Sequence, residues 1–115
     1  MDVPADLERY VLAKKASCKS FPFGEDVAVY KVMGKMFALI GEKGLNLKCD
    51  PDEALIWRSM YESVIPAYHM NKEHWNTIML DGSLPNDLIY QWVDASYALV
   101  VKKMRKLDRD KLNEF

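Results

Sequence analysis

The sequence predicts an α+β fold, a two-layer sandwich of helices on a mainly antiparallel five-stranded sheet, in the order α-β-β-β-α-β-β-α. Two observations carry that expectation. Three blocks of helical periodicity are separated by short apolar runs, and those runs are joined by brief turns at Met33-Gly34, Gly41-Glu42-Lys43-Gly44 and Asp81-Gly82. Connections so short leave antiparallel pairing as the available geometry, and helices flanking one sheet bury their apolar stripes against it.

The first helix is expected over residues 5–16, where Leu7, Tyr10, Val11 and Lys14 fall at i, i+3, i+4 and i+7. Asp6 and Glu8 suit its positive start, and Lys14 and Lys15 its negative end. Ser20-Phe21-Pro22-Phe23-Gly24 breaks the period as a loop whose two phenylalanines are expected to plug the core edge. Strands follow at Val27–Val32, at Lys35–Ile40 with both faces apolar, and at Leu45–Cys49 with Leu45, Leu47 and Cys49 pointing inward.

Asp50-Pro51-Asp52-Glu53 reads as a helix start, with Asp50 at the N-cap, Pro51 at N1 and Glu53 completing a capping box. Ala54, Ile56, Trp57, Met60 and Tyr61 form its expected core stripe, and Ile65-Pro66 its end. Ala67–Met70 and Trp75–Leu80 are the next strands. Ser83 or Leu84, followed by Pro85, opens a final helix with Leu88, Trp92, Ala95, Leu99 and Lys103 along one side, widened by Ile89, Val93, Ser96 and Val100. From about Leu107 the polar tail is expected to fray.

At 115 residues, half of them hydrophobic, residues 1–115 make one domain whose core needs neither metal nor disulfide. Cys18 and Cys49 lack metal-site spacing and read as free thiols of a reduced, cytoplasmic protein. No secretory leader is read at the N-terminus and no apolar run is long enough for a membrane span. The net charge of −1 excludes a surface that is basic all round. The charge is nonetheless segregated: residues 27–49 and 102–115 each carry a net +3, and residues 50–101 carry −6.

Both histidines lie in one polar stretch, Tyr68 to Leu84. His69, His74, Glu73, Asp81 and Cys49 do not match zinc-ligand spacings, so no metal or other cofactor is expected. Ser83, Cys18 and Cys49 lack a nucleophile's loop context, and no phosphate-cradling glycine motif occurs. The expectation is therefore a non-enzymatic protein. The corner Asn71-Lys72-Glu73-His74-Trp75 has a structural reading, with Asn71 capping the turn, His74 bonding a carbonyl and Trp75 buried. It also has a functional one, with Asn71, Lys72 and His74 presenting donors to phosphates or base edges. Lys31 and Lys35 flank a hairpin tip, the shape of a wing that can lie along a groove, and Lys48 could join them. The structural counterpart is a solvated strand edge, and for the basic stretch 102–111 a helix terminus complementing its dipole.

With these residues in hand, the sequence resembles the MmcQ/YjbR family. The resemblance rests on Pro22-Phe23-Gly24, Ala28-Val29-Tyr30-Lys31-Val32, Phe37-Ala38-Leu39 and Leu45-Asn46-Leu47-Lys48. Above all it rests on Tyr68-His69-Met70-Asn71-Lys72, His74-Trp75-Asn76-Thr77 and Leu80-Asp81-Gly82-Ser83-Leu84-Pro85, and it closes with Asp94-Ala95-Ser96-Tyr97 and Leu99-Val100. It implies an α-β(3)-α-β(2)-α fold and DNA binding through paired β-hairpin wings. Carried onto this chain, it implies nucleic-acid contacts from Lys31, Lys35, Lys48, Asn71, Lys72 and His74, with Trp75, Thr77, Asp81 and Gly82 as structural parts of the motif. DNA is thus the expected partner. The alternatives are a protein-interaction adaptor, marked by an apolar patch near Phe21, Phe23 and Met33, and a small-ligand pocket around Tyr68, His74 and Trp75.

Overall fold

The computed structural model describes residues 4–67 and 70–115. Its elements run α1 (Ala5–Leu12), β1 (Ser17–Ser20), β2 (Ala28–Val32), β3 (Lys35–Gly41), β4 (Gly44–Lys48) and α2 (Pro51–Met60). β5 (Val64–Pro66), β6 (Trp75–Ile78), α3 (Asn86–Lys102) and α4 (Lys106–Leu112) complete the chain. The strands form one sheet in the order β1-β2-β3-β4-β6-β5, with every neighbouring pair antiparallel. The α+β sandwich is as expected, but the sheet has six described strands rather than five, and the order is α-β-β-β-β-α-β-β-α-α.

Each departure has a physical cause. The first helix stops at Leu12 rather than residue 16, and Ala16 takes a left-handed φ of 59° that turns the chain into β1. β1 reads Ser-Cys-Lys-Ser and has no β-branched or aromatic residue; pairing with β2 at all four positions makes it a strand. The tail does not fray, because α4 folds back on the core and buries Leu112, with Met104 buried just ahead of it. Arg109 donates from Nη1 to the Lys102 and Met104 carbonyls, closing the α3 C-terminus.

Asp50 does cap α2, accepting at Oδ1 from the Asp52 N–H at 3.0 Å rather than from Glu53. The helix ends at Met60, and Ile65 and Pro66 belong to β5. Its core stripe is narrower than expected: Ala54 is buried, Trp57 and Tyr61 meet the Trp92 ring at 4.9 and 5.5 Å, and Ile56 and Met60 stand out in solvent. Phe21 and Phe23 are likewise exposed and plug nothing. The strand expected at Ala67–Met70 lies further upstream as β5, although the Ala67 N–H still donates to the Trp75 carbonyl at 3.3 Å. Tyr68 and His69 lie outside the described residues. α3 starts at Asn86, with Pro85 as its N-cap.

Alternation along the strands sorts the core. Tyr30, Val32, Ile40, Leu45, Leu47 and Ile78 meet Leu7 and Val11 of α1 and Ile89, Trp92, Val93 and Val100 of α3. The opposite face carries a smaller cluster of Val29, Leu39, Ala67 and Trp75, with Val27, Met36 and Met70 packed against it. The β2–β3 register shifts between Tyr30 and Lys31, so Phe37 has no partner across the ladder. On the other side of β3 the β3–β4 pairing stops at Ala38–Leu47, and fully buried Ser96 bridges the next position: its Oγ donates to the Phe37 carbonyl at 2.6 Å and accepts from the Lys48 N–H at 2.9 Å.

Candidate nucleic-acid interface

Antiparallel pairing brings the charged residues of interest to one end of the sheet. The β2–β3 turn, the last residue of β4 and the first residue of β6 all lie there, since Lys35 pairs with Val32 and Lys48 with Trp75. Met33 and Gly34 make the turn, with φ of 49° and 80°. Two consecutive left-handed residues give the tight two-residue hairpin whose twist matches its strands, and it projects Lys35 from the sheet. On the face away from the helices, Lys31 stands across from Cys18 on one side and Met36 on the other.

The corner that precedes Trp75 is built into the scaffold. Asn71 is exposed, but its Oδ1 accepts from the Glu73 and His74 N–H groups at 2.8 and 3.3 Å, the side-chain turn that asparagine favours. Arg58 of α2 donates from Nη2 to the Lys72 carbonyl and from Nε to Asn76 Oδ1 at 2.6 Å, while Asn76 Nδ2 donates to the Ala54 carbonyl at 3.2 Å. The His74 carbonyl accepts from the Cys49 N–H at 2.8 Å. His74 is half-buried, and its Nδ1 finds no hydrogen-bond partner among the described residues. The Lys72 side chain is exposed and extends the corner into solvent. Trp75 is 8% exposed, under the second face.

Thr77 is fully buried and its hydroxyl donates to Asn46 Oδ1 across the ladder. Asp81 accepts from the Ser83 N–H at 3.0 Å and from Ser63 Oγ at 3.0–3.2 Å, and Gly82 takes the left-handed turn position with φ of 83°. The hydrogen bonds from Ser83 and then Ser63 hold the Asp81 carboxyl below its usual pKa. These residues close a turn at the far end of β6.

The lysines behave differently. Lys48 is half-buried; burial first, then the charges of Lys103 and Lys35, lower its pKa. Among the described residues, Lys31, Lys35, Lys48, Lys72 and Lys103 enter no ion pair with a carboxylate, whereas Lys14 pairs with Asp94 and Lys19 with Glu8. The sequence places Lys103 on the stripe of the final helix and in the basic stretch 102–111; the structure makes it the exposed C-cap of α3 instead. What joins it to Lys48 is the Ser96 bridge, which packs the end of β4 against α3. Sequence reasoning also passes over Arg58, although one arginine in a stretch carrying −6 is a signal in itself.

Among the described residues, no group of three histidine, cysteine or acidic side chains could hold a metal, and no helix is long and apolar enough to cross a membrane. The Cys49 thiol is pushed up to about 11 by burial, which keeps it protonated and unreactive at neutral pH. Two shallow grooves, of about 150 and 360 Å³, border the far end of β6 and the start of α3; neither is lined by His74 or Trp75.

Comparison with known proteins agrees with this architecture. The family model YjbR matches residues 12–99. The chain is 36% identical over 111 residues to YjbR of Escherichia coli K12, covering 90% of this chain and 94% of that one. It is 35% identical over 96 residues to YbdF of E. coli O157:H7, covering 80% and 79%. The crystal structure of Deinococcus radiodurans DR2400 superposes with a TM-score of 0.87 at 35% identity, over 95% of this chain and 86% of that one. A Pseudomonas syringae protein superposes at 0.72 with 28% identity, over 85% and 98%. The chain belongs to the YjbR family.

Proposed function

We propose that this protein is a non-enzymatic DNA-binding domain that grips phosphates with the lysines at its hairpin end. The observation that carries the reading is the uncompensated group of Lys35, Lys48 and Lys103. Lys103 and Lys35 both act on Lys48 with like charge, and that repulsion, after burial, lowers the Lys48 pKa. A polyanion relieves this cost on binding. Lys31 on the neighbouring strand and Lys72 at the corner extend the positive end to either side. Asn71 contributes by shaping the turn that presents Lys72, since its side-chain oxygen is already engaged. His74 and Trp75 hold that corner against the sheet.

The same arrangement fits phosphate contact better than base readout, because compact ammonium groups neutralise charge without reading sequence. Four to five neutralised phosphates give a slope of about −4 in log affinity against log salt, or roughly a 250-fold loss between 50 and 200 mM. Fluorescence anisotropy with a labelled duplex and the matching single strand tests this. Saturable binding that weakens with salt is expected. Absence of any binding to either strand form at low salt would remove the proposal.

A further inference from the structure

The outward face of α2 has no role in the core or in the hairpin end, and it combines two features that separately mean little. At 100° per residue, Leu55, Ser59, Asp52, Ile56, Met60 and Glu53 fall within an arc of about 160°, and Ala54, Trp57, Arg58 and Tyr61 fall on the other side. The second group faces the protein. The first holds three large apolar side chains, Leu55, Ile56 and Met60, exposed at 62%, 52% and 62%. Exposure of that size, contiguous along one helix face, marks a contact surface rather than scattered surface residues.

Carboxylates surround this ridge. Asp52 and Glu53 lie on the same face, one turn toward the helix start, and both are exposed. Met60 and Glu62 also line the groove of about 360 Å³ that runs beside the helix end, with Met79 and Leu84 as apolar lining and Asp81 opposite. Asp52, Glu53 and Glu62 enter no ion pair among the described residues. Arg58, the one cation of this helix, is turned inward onto Asn76 and the Lys72 carbonyl. The surface is therefore apolar along its crest and negative at its borders.

We infer that this face docks a basic amphipathic segment of a partner protein, its apolar side chains seated on Leu55, Ile56 and Met60 and its cations against Asp52, Glu53, Glu62 and Asp81. Charge selects among the occupants. Nucleic acid would meet four carboxylates. A second copy docked through a two-fold axis would set the same acidic borders against each other, since such an interface is self-complementary. A helix with lysine or arginine flanking a Leu-rich stripe satisfies both halves of the surface at once. This inference stands independently of the DNA reading, because none of the hairpin-end lysines takes part.

The test titrates isotope-labelled protein with two synthetic peptides of about sixteen residues, long enough to form a helix. One is a Leu/Lys amphipathic helix and the other its Leu/Glu counterpart. The expected result is saturable binding of the basic peptide alone, with amide shifts confined to residues 51–63 and 79–84. Leu55→Ser with Ile56→Ser should weaken binding at least about tenfold, as loss of two buried aliphatic side chains requires. Asp52→Lys with Glu53→Lys should weaken it as well, whereas Lys35→Ala should leave it unchanged. All these substitutions are at exposed positions, and circular dichroism verifies that each variant is folded. Shifts that map elsewhere, equal binding of both peptides, or no binding would overturn the inference. So would a sedimenting dimer that Ile56→Ser dissolves, which would assign the face to a second copy.

Discussion

Two sets of lysines in this molecule share a side chain and differ in everything around it. At the seam between α1, β1 and α3, Lys19 lies 2.6 Å from Glu8 and Lys14 pairs with Asp94, and both carboxylates also accept from tyrosine hydroxyls, Tyr30 and Tyr10. At the hairpin end, Lys31, Lys35, Lys48 and Lys103 have no such partners among the described residues. The seam spends its charge inside the fold, where each ion pair also satisfies a phenol. The hairpin end leaves its charge unpaired among the described residues. Counting lysines along the chain cannot separate the two sets; the position of a carboxylate one layer away does.

The largest expected effect comes from breaking the support of the hairpin end. Ser96→Ala leaves the Phe37 carbonyl and the Lys48 N–H without their shared partner in a fully buried place, and unsatisfied buried groups cost about 1–3 kcal/mol each. A loss of about 2–4 kcal/mol in urea-measured stability is expected, with weaker DNA binding because Lys48 is no longer held beside Lys103. A loss below about 0.5 kcal/mol would mean that the ladder closes without the serine.

Removing the seam's carboxylate comes next. Glu8→Ala strands the hydroxyl of Tyr30, which is fully buried, and should cost about 1–3 kcal/mol. Lys35→Ala and Lys103→Ala, at exposed positions, should stay within about 0.5 kcal/mol. Similar losses at both places would erase the distinction between the two regions.

The two regions titrate with opposite consequences. Hydrogen bonds from Lys19 and Tyr30 lower the Glu8 pKa from 4.5, so its stabilisation is present above that value and is lost as pH falls through the lowered one. The gap in stability between wild type and Glu8→Gln should therefore shrink in acid. Lys48 is also lowered, from 10.5, but by burial and by Lys103 and Lys35, which disfavour its charged form. Its cost is present at neutral pH and relieved as pH rises through the lowered pKa toward 10.5. Lys48→Met should remove that alkaline gain.

The smallest expected effect is a reaction rate. Cys18 is exposed and pairs across the ladder with Lys31. A dianionic disulfide reagent should label it a few-fold faster at low salt than at high salt, while a neutral reagent shows no such change. Equal salt responses would mean that no positive potential reaches this edge.

Much of the fold is written locally. Asp50-Pro51 announces α2, the turn at Met33-Gly34 sets the hairpin, and Leu45–Cys49 alternates as a strand should. What is not legible depends on partners distant in sequence. β1 is a strand because β2 lies beside it, and the tail is a helix because Leu112 finds the core. Ile56 and Met60 fit a helical stripe by spacing, yet they stand outside it because Trp57 and Tyr61 already fill the contact with Trp92. The hairpin lysines are visible as a run of charge. Their union with Lys103 is not, since it depends on a serine hydroxyl bridging β3, β4 and α3.

The most direct test compares the two lysine sets on one duplex. Binding is followed by anisotropy across a salt series for wild type, for the Lys14→Ala/Lys19→Ala pair and for the Lys35→Ala/Lys48→Ala/Lys103→Ala triple. The slope should fall by about 2.7 in the triple, near 0.9 for each phosphate no longer neutralised, and stay unchanged in the pair. Equal reductions in both variants, or a triple with the wild-type slope, would contradict it.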